Sequence, residues 1–324
     1  MRGTLGQAKS GLQDKFHKRL NSIQMVLHLI KDTQYMLEVL TSSILFKPPQ
    51  REPLCRFRVD SKNVLIRSVD GDTIHCHLVC PWDRDTSLQN YTGTKNIIVF
   101  FHGNSEDIAT GRSYCQWLAD KTDVNVITCD YPGYGFSTGQ PSELGMKSAA
   151  LALLDYTLTK LNHKMQEIVL LGKSIGSTPA INLASQAACH QIGGLILVSP
   201  LASAVRCFSA SSKIPSFILK ELDAWMLPNI KHISDVSCPV QFVHGKNDDV
   251  VPCSNSHMLL AAMRSPPFTK PLYVSAGHND IESKFSALFI ETLKDFIEVC
   301  RQRYASQCTY DYEHKFETND MFEY

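Results

Sequence analysis

The chain has 324 residues, 44% of them hydrophobic, with 32 Lys+Arg against 32 Asp+Glu. That length and apolar content can build one large domain or two small ones, and the balanced charge offers no bulk attraction to nucleic acid, so no nucleic-acid partner is expected. Eleven cysteines without C-x-x-C or metal-ligand spacing, and no signal-peptide pattern at the start, point to free thiols in a reducing, cytoplasmic compartment.

Residues 1–50 read as an amphipathic arm. Lys9, Lys15, Lys18 and Arg19 precede Leu20, Ile23, Leu27, Ile30, Leu37, Leu40 and Ile44 at helical spacing. Lys31, Asp32 and Glu38 interrupt the stripe, whereas a transmembrane helix needs about 20 nearly unbroken apolar residues. A basic flank beside an apolar face suits a peripheral contact on the cytosolic face of a membrane. A helix docked on the protein itself, or a dimer contact, has the same pattern.

Residues 51–303 alternate strands and helices. Cys55 to Val59 and Val64 to Arg67 alternate apolar and polar residues, and Asp70-Gly71 marks a hairpin before Thr73 to Val79. Apolar strands follow at about 96–101, 125–129, 167–171, 194–198, 239–243 and 271–275, with helices at about 109–121, 144–162, 178–189, 254–264 and 283–303. The expected fold class is α/β: a mostly parallel, doubly wound sheet with antiparallel N-terminal strands and sites at the strand C-terminal ends. Residues 201–238 are long for a connection. They carry Phe208, Ile214, Phe217, Ile218, Leu222, Trp225, Met226 and Leu227. This segment is expected either as a short lid lining an acyl groove or as a helix packed on the core. Residues 304–324 lack helical periodicity and read as a mobile tail.

Within this frame Gly172-Lys173-Ser174-Ile175-Gly176 follows the apolar run Ile168 to Leu171 and precedes a helix. A serine on a sharp strand-to-helix turn has its hydroxyl exposed above the sheet, and glycines permit the close backbone approach. Such a serine needs a base, a group orienting the base, and oxyanion donors. The loop after strand 239–243 contains Asp248 and Asp249. Asp248 is the favoured acid, and Asp249 is read as solvated or loop-capping. His278 lies just past strand 271–275, unlike His257 in a helix or His314 in the tail. Backbone N–H groups of Ile175 and Asn104, the latter after strand 96–101, are the expected oxyanion donors. No phosphate loop, redox signature or metal spacing is present, so no cofactor is expected.

From about Pro49 to Arg301 the sequence resembles serine hydrolases of the α/β-hydrolase fold, through Phe101-His102-Gly103-Asn104, Asp130 to Gly135, Gly172 to Gly176 and His244 to Asp248. It is most similar to the α/β-hydrolase domain-containing 17 group of protein depalmitoylases. Pro141-Ser142-Glu143, Ser174 to Ser177, Ser199-Pro200-Leu201, Leu227 to Ile230 and Gly277 to Glu282 carry that closer match. The group's N-terminal cysteine cluster has no counterpart before Cys55. The resemblance implies Ser174, Asp248 and His278 as a triad acting on S-acylated cysteines of membrane-associated proteins. A lipid or carboxyl ester would suit the same triad, and a hydrolase fold can also serve as a non-catalytic scaffold.

Overall fold

A computed structural model describes residues 45–50, 62–81, 94–207, 215–265 and 267–317. The chain divides into two units, Met1–Leu45 and Phe46–Tyr324. Residues 1–44 of the arm expected over residues 1–50, the strand expected at Cys55 to Val59, and Phe208 and Ile214 lie outside the described residues.

Among the described residues eight strands form one sheet in the order β1-β2-β4-β3-β5-β6-β7-β8. They are β1 (Asn63–Arg67), β2 (Thr73–Val79), β3 (Ile97–Phe101), β4 (Asn125–Cys129), β5 (Ile168–Lys173), β6 (Gly194–Val198), β7 (Val240–Gly245) and β8 (Leu272–Val274). β1 pairs antiparallel with β2, and β2 antiparallel with β4. All later pairs are parallel. The burial pattern explains the sequence. β1 alternates buried and exposed positions, whereas β3, β4 and β6 are buried throughout, and β3 and β6 are correspondingly continuous apolar runs. The helices are α1 (Ile108–Thr122), α2 (Glu143–Thr159), α3 (Ser177–Ala184), α4 (Ser216–Leu222), α5 (Asn229–His232), α6 (Ser254–Ala262), α7 (Ile281–Lys284) and α8 (Ser286–Glu317). On one side of the sheet, Leu118 and Ala119 of α1 and Phe289, Leu293 and Phe296 of α8 pack in one core with Ile98, Phe100, Val169 and Leu171.

Two helix starts have local chemical causes. Asp107 caps α1 by accepting from the Thr110 N–H (2.8 Å) while the Thr110 hydroxyl accepts from the Asp107 N–H (2.9 Å). Ser142 caps α2 by accepting from the Gly145 N–H (2.9 Å). The last helix is longer than the expected span of about 283–303. α8 runs on to Glu317, through the first part of the segment 304–324 expected as a tail. Residues 301–317 contain no glycine or proline, so nothing in them breaks a helix once α8 has started. Residues 318–324 lie outside the described residues.

The loop after β4 is organised by one buried carboxylate. Asp130 accepts from His75 Nδ1 (2.9 Å), from the Ile108 N–H at the start of α1 (2.8 Å) and from the Phe136 N–H (3.2 Å). Gly135 sits at φ 44°, and a Cβ there would collide with this carboxylate. Asp130→Ala removes the acceptor shared by three donors in a site with 1% exposure. The expected loss is about 3–5 kcal/mol of unfolding free energy, read by urea denaturation. A loss below about 1 kcal/mol would show that the donors find other partners.

Candidate active site

β5 ends at Lys173, and the chain turns through Ser174–Gly176 into α3. Ser174 holds φ 53°, a left-handed conformation that costs a side-chain-bearing residue roughly 1–2 kcal/mol. Both flanking glycines are sterically required. A Cβ on Gly172 would sit 2.6 Å from the Gly176 carbonyl and 2.7 Å from the Ser177 Cα. A Cβ on Gly176 would run into the Phe101 carbonyl and lie 2.7 Å from that of His102. The turn is therefore seated directly against the end of β3, whose following loop carries Asn104.

The structure brings together the three side chains expected from sequence. His278 Nε2 is 2.9 Å from Ser174 Oγ, and His278 Nδ1 is 2.7 Å from Asp248 Oδ2. Ser174, Asp248 and His278 are 9%, 7% and 8% exposed, so all three are largely buried while retaining some solvent access. Asp249 is exposed, which separates the two aspartates that sequence left in competition. With its Nδ1–H donated to Asp248, His278 presents Nε2 as acceptor for the serine proton.

Asp248 is held from several sides. Its Oδ1 accepts from the N–H groups of Val250 (3.0 Å) and Val251 (2.7 Å). Its Oδ2 also lies 3.2 Å from His244 Nε2. His244 is fully buried, with Nδ1 2.6 Å from Ser256 Oγ and Nε2 2.8 Å from the Val251 carbonyl. A hydroxyl donating to Nδ1 leaves Nε2–H to donate to the carbonyl and the carboxylate. Burial pushes the Asp248 carboxyl up, but the hydrogen bonds from His244, His278 and the Val251 N–H outweigh it and hold the group well below the usual carboxylate range. A pKa lowered by folding contributes stability above the unfolded aspartate value of about 3.9, lost as pH falls through the folded value. The unfolding free-energy gap between wild type and Asp248→Asn is therefore expected to stay constant from about pH 7 to 5 and to shrink below about pH 4. A gap that narrows instead between about pH 8 and 6 would contradict this.

Of the two expected oxyanion donors, Asn104 has its side-chain Oδ1 accepting from Tyr134 Oη and from the Lys47 N–H, both at 2.9 Å. These bonds orient the residue from its side chain. Ile175, the other expected donor, follows Ser174 in the turn and is 5% exposed.

Several motif residues noticed in the sequence turn out to brace the site. Asn229 Nδ2 reaches Ser177 Oγ (3.3 Å), Thr178 Oγ1 (3.2 Å) and the Leu201 carbonyl (2.9 Å). Glu143 Oε2 accepts from the Leu227 N–H (2.9 Å). Arg206 holds Asp223 with two nitrogens. The segment expected as a lid is thus tied down at both ends, and its apolar set divides. Leu227 is buried, while Phe217, Ile218 and Trp225 are exposed. His244, Lys173 and Glu282 stand inside the motifs quoted from sequence but had no role assigned there, and Glu106 was not named. The four-residue spacing of His244 and Asp248 predicts no contact outside a helix.

The serine aminopeptidase S33 family profile matches residues 92–231. Among curated relatives, α/β-hydrolase domain-containing protein 17C of Xenopus tropicalis is 37% identical over 207 residues, covering 63% of this chain and 62% of that protein. The 17B protein of the same species is 33% identical over 235 residues, covering 72% of this chain and 74% of its own length. Among solved structures, an esterase from Pyrococcus furiosus has a TM-score of 0.60 at 15% identity, covering 78% of this chain and 97% of that one. Est1E of Butyrivibrio proteoclasticus, solved with ferulic acid, has a TM-score of 0.56 at 17% identity, over 74% and 100% of the two chains. The fold is that of the α/β-hydrolases.

Proposed function

Because the chain belongs to the α/β-hydrolase domain-containing protein 17 family, we propose that this serine-hydrolase relative cleaves acyl thioesters, with S-acylated cysteines of membrane-associated proteins as its substrates. The observation that carries this reading is the hydrogen-bonded chain from Ser174 through His278 to Asp248, built on a serine at φ 53°.

In this mechanism Ser174 Oγ attacks the acyl carbonyl as its proton passes to His278 Nε2. Asp248 keeps the imidazole in the required tautomer and stabilises the imidazolium that forms. The N–H groups of Ile175 and Asn104 receive the oxyanion. Collapse of the tetrahedral intermediate expels the cysteine sulfur, protonated by His278 where needed, and leaves an acyl-serine. Water, deprotonated by the same histidine, then releases the fatty acid. Phe217, Ile218 and Trp225, exposed on the segment after β6, supply apolar surface for the acyl chain. Among the described residues no helix is long and apolar enough to cross a membrane. We assign contact with the cytosolic membrane face to the arm over residues 1–50.

The test is a matched pair of acyl peptides with the same long chain, one a cysteine thioester and one a serine oxyester. The proposal predicts the higher kcat/KM on the thioester. Turnover of the oxyester alone would move the assignment to lipid or carboxyl esters.

A further inference from the structure

Lys173 immediately precedes the serine, and its side chain is only 12% exposed. Its Nζ lies 3.1 Å from Glu106 Oε1 and 3.7 Å from Glu282 Oε1, and 5.2 Å from the centre of the Tyr114 ring. The two carboxylates belong to different loops. Glu106 lies two residues beyond Asn104, and its second oxygen accepts from the Gly103 N–H at 3.0 Å. Glu282 lies four residues beyond His278, in α7. Three loops from separate strand ends, carrying the nucleophile, an oxyanion donor and the base, thus meet at one ammonium group.

Electrostatics agree with the geometry. Burial pushes the Glu106 carboxyl up, yet Lys173 and the Gly103 N–H bring it below its ordinary value. Burial likewise lowers the Lys173 ammonium, but Glu282 and Glu106 raise it above its ordinary value. Glu106 and Lys173 are therefore charged at neutral pH. A buried ion pair is a poor device for stability alone, because desolvating the charges offsets most of their attraction. It fixes position well, because each partner is costly to leave unpaired.

We propose that Lys173 is a positioning residue for hydrolysis: through Glu106 and Glu282 it holds the Gly103–Asn104 loop and the His278 loop in register with Ser174. This rests on the serine-hydrolase reading above. The ammonium touches no reacting atom, so its effect falls on the transition state, where small displacements of oxyanion donors and base weigh most. Substrate binding in the ground state is left nearly unchanged.

The test uses the full chain, with hydrolysis of a soluble p-nitrophenyl ester and thermal melting measured on each variant. Lys173→Met is expected to lower kcat about 10- to 100-fold with KM within about twofold. Lys173→Arg, which restores the charge, is expected to recover kcat to within about threefold of wild type. Glu106→Gln keeps an acceptor for the Gly103 N–H but loses the charge, and is expected to lower kcat about tenfold. The double variant should be no slower than Lys173→Met, because both changes break one unit. If Lys173→Met does not fold, Glu106→Gln carries the test alone. A wild-type kcat in a folded Lys173→Met or Glu106→Gln protein overturns the proposal, as does a loss matched by the unfolded fraction. An inactive wild type overturns the hydrolase reading and the proposal with it.

Discussion

Replacing Ser174 with alanine is expected to abolish labelling by a fluorophosphonate probe and to lower ester turnover by about four to six orders of magnitude. The fold should barely notice. Alanine carries the same Cβ into the left-handed conformation at φ 53°, so the backbone strain is unchanged. The hydroxyl is lost from one hydrogen bond, to His278, at a site that retains some solvent access, for a change of about 1 kcal/mol or less. The signature is thus loss of chemistry without loss of structure, read by labelling and thermal melting of the same preparation. Persistent labelling of Ser174→Ala would place the nucleophile elsewhere.

Gly176→Ala should do the reverse and damage the structure first. The added Cβ points at the Phe101 and His102 carbonyls, which are backbone atoms at the end of a central strand. No flexible side chain can give way. Either β3 moves relative to β5, breaking a ladder that pairs Ile97 to Phe101 with Ile168 to Gly172, or the turn opens and carries Ser174 off His278. The expected destabilisation is about 3 kcal/mol or more, with fluorophosphonate labelling lost even in the folded fraction. A variant with unchanged urea midpoint and full labelling would mean that the turn is not packed against β3 as described.

Much of this site is legible in the sequence for a simple physical reason. Ser174, Asp248, His278 and Asn104 each lie just beyond an apolar run long enough to be a buried strand. Parallel strands deliver their C-terminal ends to one edge, so order along the chain already implies proximity. The choice of Asp248 over Asp249 depended on which carboxylate turns inward; Asp248 is buried against His278, and Asp249 is exposed. The supporting shell is a different matter. His244 reads from sequence as the first residue after strand 239–243, and its bond to Asp248 depends on the curl of the loop that follows. The ion cluster joining Glu106, Lys173 and Glu282 spans loops far apart in sequence. Hydrophobic period says nothing about where charged side chains meet. The end of α8 escaped for a third reason. Beyond Arg303 the residues lose their apolar stripe, but a helix already nucleated continues through polar residues that contain no breaker.

In the proposed mechanism every acyl transfer passes through Ser174. The most direct measurement is mass spectrometry of the protein quenched during turnover of a palmitoyl-cysteine peptide, with digestion to locate any adduct. The account predicts a palmitoyl group on the peptide containing Ser174, absent from Ser174→Ala and accumulating when deacylation is slowed at low pH. Steady hydrolysis of the thioester with Ser174 unmodified and another residue acylated would contradict it.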